Sequence, residues 1–208
     1  TYTVRLRFAD AFNDPGERWF DVAIEGQLVL DNFDIVSAAG GRYYAVERAF
    51  VVAVVDGQLQ IDFVGGQPGA VDSNAIVQAI GVVSQETAPE PTEMPALPTA
   101  TPIPTDVSPT EALTPQPTAT GEPAQPTAYA RYVNVGDCGP AQWLGATWKA
   151  DQPYSPGSWG HVGSDYYPRP DNSGLIRDEF GQLYVGDGQY LHRCRAFGDS
   201  FGYRFDLP

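Results

Sequence analysis

Basic residues are scarce in this sequence. Lys and Arg number 12 against 26 Asp and Glu, a formal net charge of -14. Such a surface repels phosphates and anionic lipid, which excludes a nucleic-acid partner. Long hydrophobic runs are missing too. No stretch approaches the roughly 20 apolar residues that cross a bilayer as a helix, so no membrane insertion is expected. The longest apolar-rich stretch, Tyr44–Val55, is broken by charge and reads as a strand. There are two histidines, His161 and His192, and neither lies in an HExxH or nucleophile-elbow setting. Both are expected to pack or to face solvent. No carboxylate pair stands out by spacing and no thiolates have zinc spacing. No catalytic residue, metal site or cofactor is therefore expected. Val185–Gln189 (VGDGQ) reads as a turn, because the alternating Asp ligands of a calcium loop are absent. Only two cysteines occur, Cys138 and Cys194. An even pair in an acidic, Lys-poor chain suits an exported protein with one disulfide.

What is present divides the chain into three. Residues 1–86 and 129–208 are rich in Val, Phe, Tyr and Gly. Between them, residues 87–128 hold 11 of the 19 prolines, many threonines, 5 acids and no aromatic, Lys or Arg. Such a segment cannot bury enough apolar surface to offset chain entropy. Its prolines hold it near polyproline II, at a rise that lets about 40 residues reach on the order of 120 Å. Thr beside Pro also points to O-glycosylation.

Helical periodicity is absent, and both flanks read as strands and turns. Tyr2, Val4, Leu6 and Phe8 alternate with Thr1, Thr3, Arg5 and Arg7, so the chain opens inside a strand. That opening predicts a cut or a rearrangement of the natural order. Residues 19–35 (WFDVAIEGQLVLDNFDI) give two strands around a Glu25-Gly26 turn. Residues 45–65 give two strands around Asp56-Gly57, a strong hairpin signal. Residues 74–83 (NAIVQAIGVV) read as one closing strand. The third segment shows two or three clear strands among long Gly/Pro loops. Regular strands with turn signals predict an all-β fold, an antiparallel β-sandwich.

The runs FDVAIEGQLVLDNFDI (20–35) and ADQPYSPGSWG (150–160) identify a family. Residues 1–86 resemble the C-terminal half of a malectin domain, and residues 129–208 resemble its N-terminal half. The resemblance implies a jelly-roll, malectin-like sandwich assembled from two halves in permuted order, joined by the Pro/Thr-rich linker. In that family a sequence like FGYRFDLP (201–208) turns directly into one like TYTVRLRFAD (1–10). Pro208 and Thr1 are thus expected to be two sides of one missing hairpin. A closed circular permutant, one period of a tandem array, and separate chains joined head to tail all accommodate this order. The long linker favours an array or filament. The expected function is that of a non-catalytic extracellular structural protein, whose copies complete each other's sheets. The alternative is a carbohydrate-binding module of a secreted or cell-surface protein, with glycans as partners.

Malectin domains bind carbohydrate through loop aromatics and one acid. Six aromatics fall between Trp143 and Tyr167. By resemblance the sugar contacts are Trp148, Tyr154, Trp159, Tyr166 and Tyr167, which offer flat faces for sugar C–H groups. Asp72 substitutes for the family's acid, which aligns with Ser73-Asn74-Ala75, and Arg195 is the retained Arg of a strand at 191–196. The family's Gly-Gly after its first strand reads Gly136-Asp137 here. A Cys138–Cys194 bond closes a loop of about 55 residues, worth roughly 4 kcal/mol in the chain-entropy model.

Overall fold

A computed structural model describes residues 1–85, 128–136, 138–170, 176–178, 180–184 and 187–208. In chain order the elements are β1 (Tyr2–Ala9), β2 (Phe20–Ile24), β3 (Gln27–Phe33), α1 (Ile35–Ala39), β4 (Ala45–Val52), β5 (Gln58–Val64), β6 (Ala75–Val77) and β7 (Ala79–Ser84). After residues 86–127 come β8 (Ala130–Asn134), β9 (Ala141–Trp143), β10 (Ala146–Ala150), β11 (Trp159–Val162), β12 (Tyr167–Pro170), α2 (Asp187–Arg193), β13 (Cys194–Gly198) and β14 (Ser200–Asp206). The expected extended, glycosylated segment lies outside the described residues apart from Ala128.

The strands form a sandwich. One sheet has the order β4-β1-β7-β8-β10-β9 and the other β11-β14-β5-β2-β3. A small third sheet, β12-β13-β6, covers one end. Every named pair is antiparallel except β8–β10. Period-two alternation sets the faces. Val4, Leu6 and Phe8 of β1 meet Phe20 and Val22 of β2, Leu59, Ile61 and Phe63 of β5, and Tyr203 and Phe205 of β14. All of these side chains are inaccessible to water. Burying each contributes about 1.5–3 kcal/mol, which makes this layer the main source of stability.

The two flanks share every sheet, each as one block of strands, and meet at β7–β8, β14–β5 and β13–β6; residues 1–85 and 128–208 make one compact unit. β7 lies beside β8, with Ser84 N–H donating to Tyr129 O at 2.7 Å. Gln85 and Ala128 therefore lie at neighbouring strand ends.

Several expectations need correction. β1 does not pair with β14. Its neighbours are β4 and β7, while β14 lies between β11 and β5 in the opposite sheet. The chain ends do approach, since Tyr2 Oη reaches Pro208 O at 3.4 Å, but they face each other across the sandwich. Both edges of β1 and of β14 are thus paired within one chain. Asp56-Gly57 is likewise an arch between sheets: β4 pairs with β1, and β5 with β14 and β2. Both long strands are amphipathic, and facing their apolar sides across the core buries more than pairing their edges. Glu25-Gly26 is a true two-residue hairpin, with φ 52° and 70° as a type I′ turn requires. The single strand expected at 74–83 breaks at Gln78. The buried Gln78 side chain bonds both N–H and C=O of Ala9 at 2.8 and 2.6 Å, filling the ladder where the chain changes sheets.

Two short helices also appear among the described residues. α1 is capped by Asp34, whose carboxylate accepts from Ser37 N, and ends at Gly40 with φ 83°. α2 places His192 in a helix rather than a strand; β13 begins only at Cys194. Among the described residues the third segment holds seven strands, where two or three clear ones were expected.

Candidate functional site

One end of the sandwich is built by the loop after β1, the turn before β6, and the outer face of β13. Asp10 ends β1. Its Oδ1 accepts from the backbone of Phe12 and Asn13 at 2.9 and 3.3 Å, turning the chain sharply. Arg18, 6% exposed, lies between Asp10 (Nε–Oδ2 3.5 Å) and Asp72, to which its Nη2 bonds. Asn13 Nδ2 joins the same two carboxylates at 3.0 and 3.3 Å. Asn74 gives Asp72 Oδ1 two further bonds, at 3.0 and 2.7 Å. Burial raises the Asp72 carboxyl, but the Arg18 charge and the Asn74 donors more than reverse this, and its pKa falls to about 2. A carboxylate has roughly four lone-pair sites. All are engaged here, so Asp72 ties the loops together rather than facing outward with capacity to spare.

Against this knot stands a row of three rings and one guanidinium. The Arg195 guanidinium lies 4.5 Å from the Phe12 ring centroid and 5.8 Å from that of Phe197. The Tyr167 ring continues the row, 5.7 Å from Phe197. The periodicity of β13 explains the placement: Cys194, Ala196 and Gly198 are buried, while Arg195 and Phe197 turn outward. Phe12 and Tyr167 remain 49% and 52% exposed at the two ends of the row.

A second polar cluster underlies β13. Asp151 Oδ2 accepts from Tyr166 Oη, from Tyr203 Oη at 2.6 Å and from Gly136 N at 3.0 Å. Burial pushes the Asp151 carboxyl up despite these donors. Burial likewise raises the Tyr166 hydroxyl, with the facing Asp151 charge adding to the shift. The His161 ring stacks on Tyr166 at 3.7 Å, and its pKa is lowered by burial. Gly136 takes φ 93°, and a Cβ there would lie 2.5 Å from Arg195 O. Gly136 is thus fixed by close packing under Arg195. The disulfide Cys138–Cys194 spans the same region, with its Cα atoms 6.0 Å apart.

The structure brings Asp72, Tyr166, Tyr167 and Arg195 to this end and leaves three sequence candidates elsewhere. Trp148 is 4% exposed in a second small core with Leu191 and Ala79, on the outer face of the β7–β8 sheet. Trp159 is 6% exposed and packs on Phe205 inside the sandwich. Tyr154 bonds Asp206 and Gln58. Asp206 lies at the far end of β14 from Ser200, roughly 20 Å along the strand. A loop rich in aromatics was thus only partly a surface feature, because two indoles were recruited to cores. Phe12 and Arg18 carried weak signals in the sequence. An aromatic inside an Asp-x-Phe-Asn turn has no core to enter, and a lone Arg facing loop acids invites pairing. Among the described residues no cluster of three or more His, Cys, Asp or Glu is placed to hold a metal ion. Nor is any helix there long and apolar enough to cross a membrane.

Comparison with known proteins gives a partial match. Residues 1–80 match the malectin domain model. A probable LRR receptor-like serine/threonine-protein kinase of Arabidopsis thaliana is 40% identical over 67 residues, covering 29% of this chain and 7% of that protein. A probable leucine-rich repeat receptor-like serine/threonine-protein kinase of the same plant is 39% identical over a stretch of the same length and coverage. The chain thus spans a small fraction of either relative. No solved structure matches it.

Proposed function

We propose that this protein is a non-catalytic, extracellular carbohydrate-binding module, and that the glycan lies along Phe12, Arg195, Phe197 and Tyr167. The observation that carries this reading is the row itself: two half-exposed rings held at fixed spacing about a guanidinium. Sugar C–H faces stack on such rings, and guanidinium N–H groups donate to hydroxyls. The knot of Asp10, Arg18 and Asp72 fixes the loop bearing Phe12, so little ordering entropy is lost on binding. The chain's net charge of -14 favours a neutral glycan over an acidic one. A disulfide fits an oxidising, exported setting. The malectin match over residues 1–80 supports the class.

In this reading residues 1–86 act as the C-terminal half of a malectin-like sandwich and residues 129–208 as the N-terminal half. The sheets that the two halves complete together, at β7–β8, β14–β5 and β13–β6, and the nearness of Tyr2 to Pro208 support that order. The test is a screen on immobilised neutral glycans, followed by titration of Phe12→Ala, Tyr167→Ala and Arg195→Ala. Each is expected to weaken binding by about tenfold or more, some 1.4 kcal/mol. Absence of any glycan ligand, or affinities unchanged in all three variants, would overturn the proposal.

A further inference from the structure

A separate cavity of about 280 Å³ opens on the outer face of the β4–β1 sheet, away from the ring row. Arg7 and Glu47 stand opposite each other on β1 and β4 and form an ion pair between Nη2 and Oε2. The Arg7 guanidinium also lies 4.2 Å above the Trp143 ring. Arg7 and Glu47 alternate away from the sandwich core, so they need no place in it. Trp143 meets Tyr184 edge-on at 5.8 Å, and Tyr184 stacks on the buried His192 ring at 4.2 Å. His192 Nδ1 faces Gly188 O at 2.7 Å. The cavity floor is therefore rigid. Its rim carries Phe180, 80% exposed, on a turn closed by Asp178, whose Oδ1 accepts from Phe180 N and Gln182 N at 3.0 and 2.8 Å.

We infer that this cavity is a second binding site, for a single neutral pyranose ring, independent of the ring row. Its size sits at the lower limit of ligand pockets and suits one ring rather than a chain. The exposed Phe180 ring at the rim offers a stacking surface above the covered Trp143 and Tyr184 rings. Arg7 supplies donors, and its buried Nε has no hydrogen-bond partner. Glu47 and Asp178 supply acceptors. A cationic ligand is disfavoured because Arg7 already occupies the indole face. An anionic ligand is disfavoured by the two carboxylates and by the chain's net charge of -14. Two sites on one module raise avidity for a branched or repeating glycan without new contacts.

The inference is tested by titrating the ¹⁵N-labelled full chain with the methyl glycosides of glucose, galactose and mannose, to about 50 mM, far beyond a millimolar dissociation constant. The Trp143 indole N–H and Arg7 Nε–H signals are expected to shift saturably with at least one glycoside. Phe180→Ala, a rim change that leaves the cores intact, is expected to weaken this response at least tenfold. Phe12→Ala is expected to leave it unchanged. Failure of all three glycosides to shift either signal would overturn the second site. So would shifts that survive Phe180→Ala but vanish in Phe12→Ala, an outcome that leaves the ring-row site standing. Saturable shifts with tetramethylammonium or glucuronate alone would overturn the assigned ligand class.

Discussion

Replacing Arg18 by Met tests whether the charge knot holds the ring-bearing loop. Arg18 is 6% exposed and faces Asp10, itself 1% exposed, as well as Asp72. Met keeps the length of the side chain and removes its charge. Two carboxylates then share a largely dry site without a cation, a situation that costs about 3–5 kcal/mol. For a chain of this size each kcal/mol lowers the melting temperature by roughly 2–4 °C, so the expected fall near neutral pH is about 6–20 °C. The pH dependence gives a sharper signature. The Asp72 pKa is depressed from 3.8 to about 2 in the folded state. In the native protein its stabilisation is complete above the higher value and is lost as pH falls through the lower one. After allowance for solvent screening this amounts to roughly 1–2 kcal/mol. In Arg18→Met the penalty comes from ionised carboxylates, so protonation relieves it and the deficit relative to native narrows as pH falls below about 4. Calorimetric or circular-dichroism melts near neutral pH and near pH 3 measure both. A deficit under about 1 kcal/mol, or one equal at the two pH values, would refute the reasoning. Asp72→Asn introduced beside Arg18→Met is expected to recover part of the loss.

Three further outcomes follow from the same geometry. Gly136→Ala is expected to destabilise by about 3 kcal/mol or more, because the new methyl meets the Arg195 backbone at 2.5–2.8 Å and the φ of 93° is strained for alanine; a chemical-denaturation midpoint within error of native would count against the packing. Reducing Cys138–Cys194 with dithiothreitol is expected to cost roughly 2–4 kcal/mol and to loosen β13, which hydrogen exchange reads directly. Asp34→Ala removes the α1 cap and the bond to Gly16 N at 2.7 Å, for an expected loss of about 1 kcal/mol in a thermal melt, with the glycan response unchanged.

Side-chain alternation made the strands legible in the sequence but said little about their partners. The faces of β1 follow from Tyr2, Val4, Leu6 and Phe8 without reference to any other segment. The Glu25-Gly26 hairpin was readable because its two positive φ values are a local requirement. Asp56-Gly57 carried an equally strong local signal and became an arch, because the strands it joins lie in different sheets. The candidate site was legible in part. Tyr167 and Arg195 lie on the small end sheet as surface residues, whereas Trp148 and Trp159, chosen for the same aromatic character, are core residues. An aromatic residue's type does not say which side of its strand meets the core. Phe12 was overlooked because its partner, Arg195, comes from the far end of the chain.

The sequence by itself determined an all-β chain, the apolar face of its long strands, an acidic surface, and a single available cysteine pairing. Each is set by composition or by a pattern within a few residues. Tertiary structure alone decided that β1 and β14 face each other across the core rather than share a ladder. It alone assembled the Phe12–Arg195–Phe197–Tyr167 row and the Arg7–Trp143–Tyr184 cavity. Period-two alternation fixes which way a side chain points but leaves open which strand lies alongside, and that choice is made by burying the largest apolar area between segments distant in the chain.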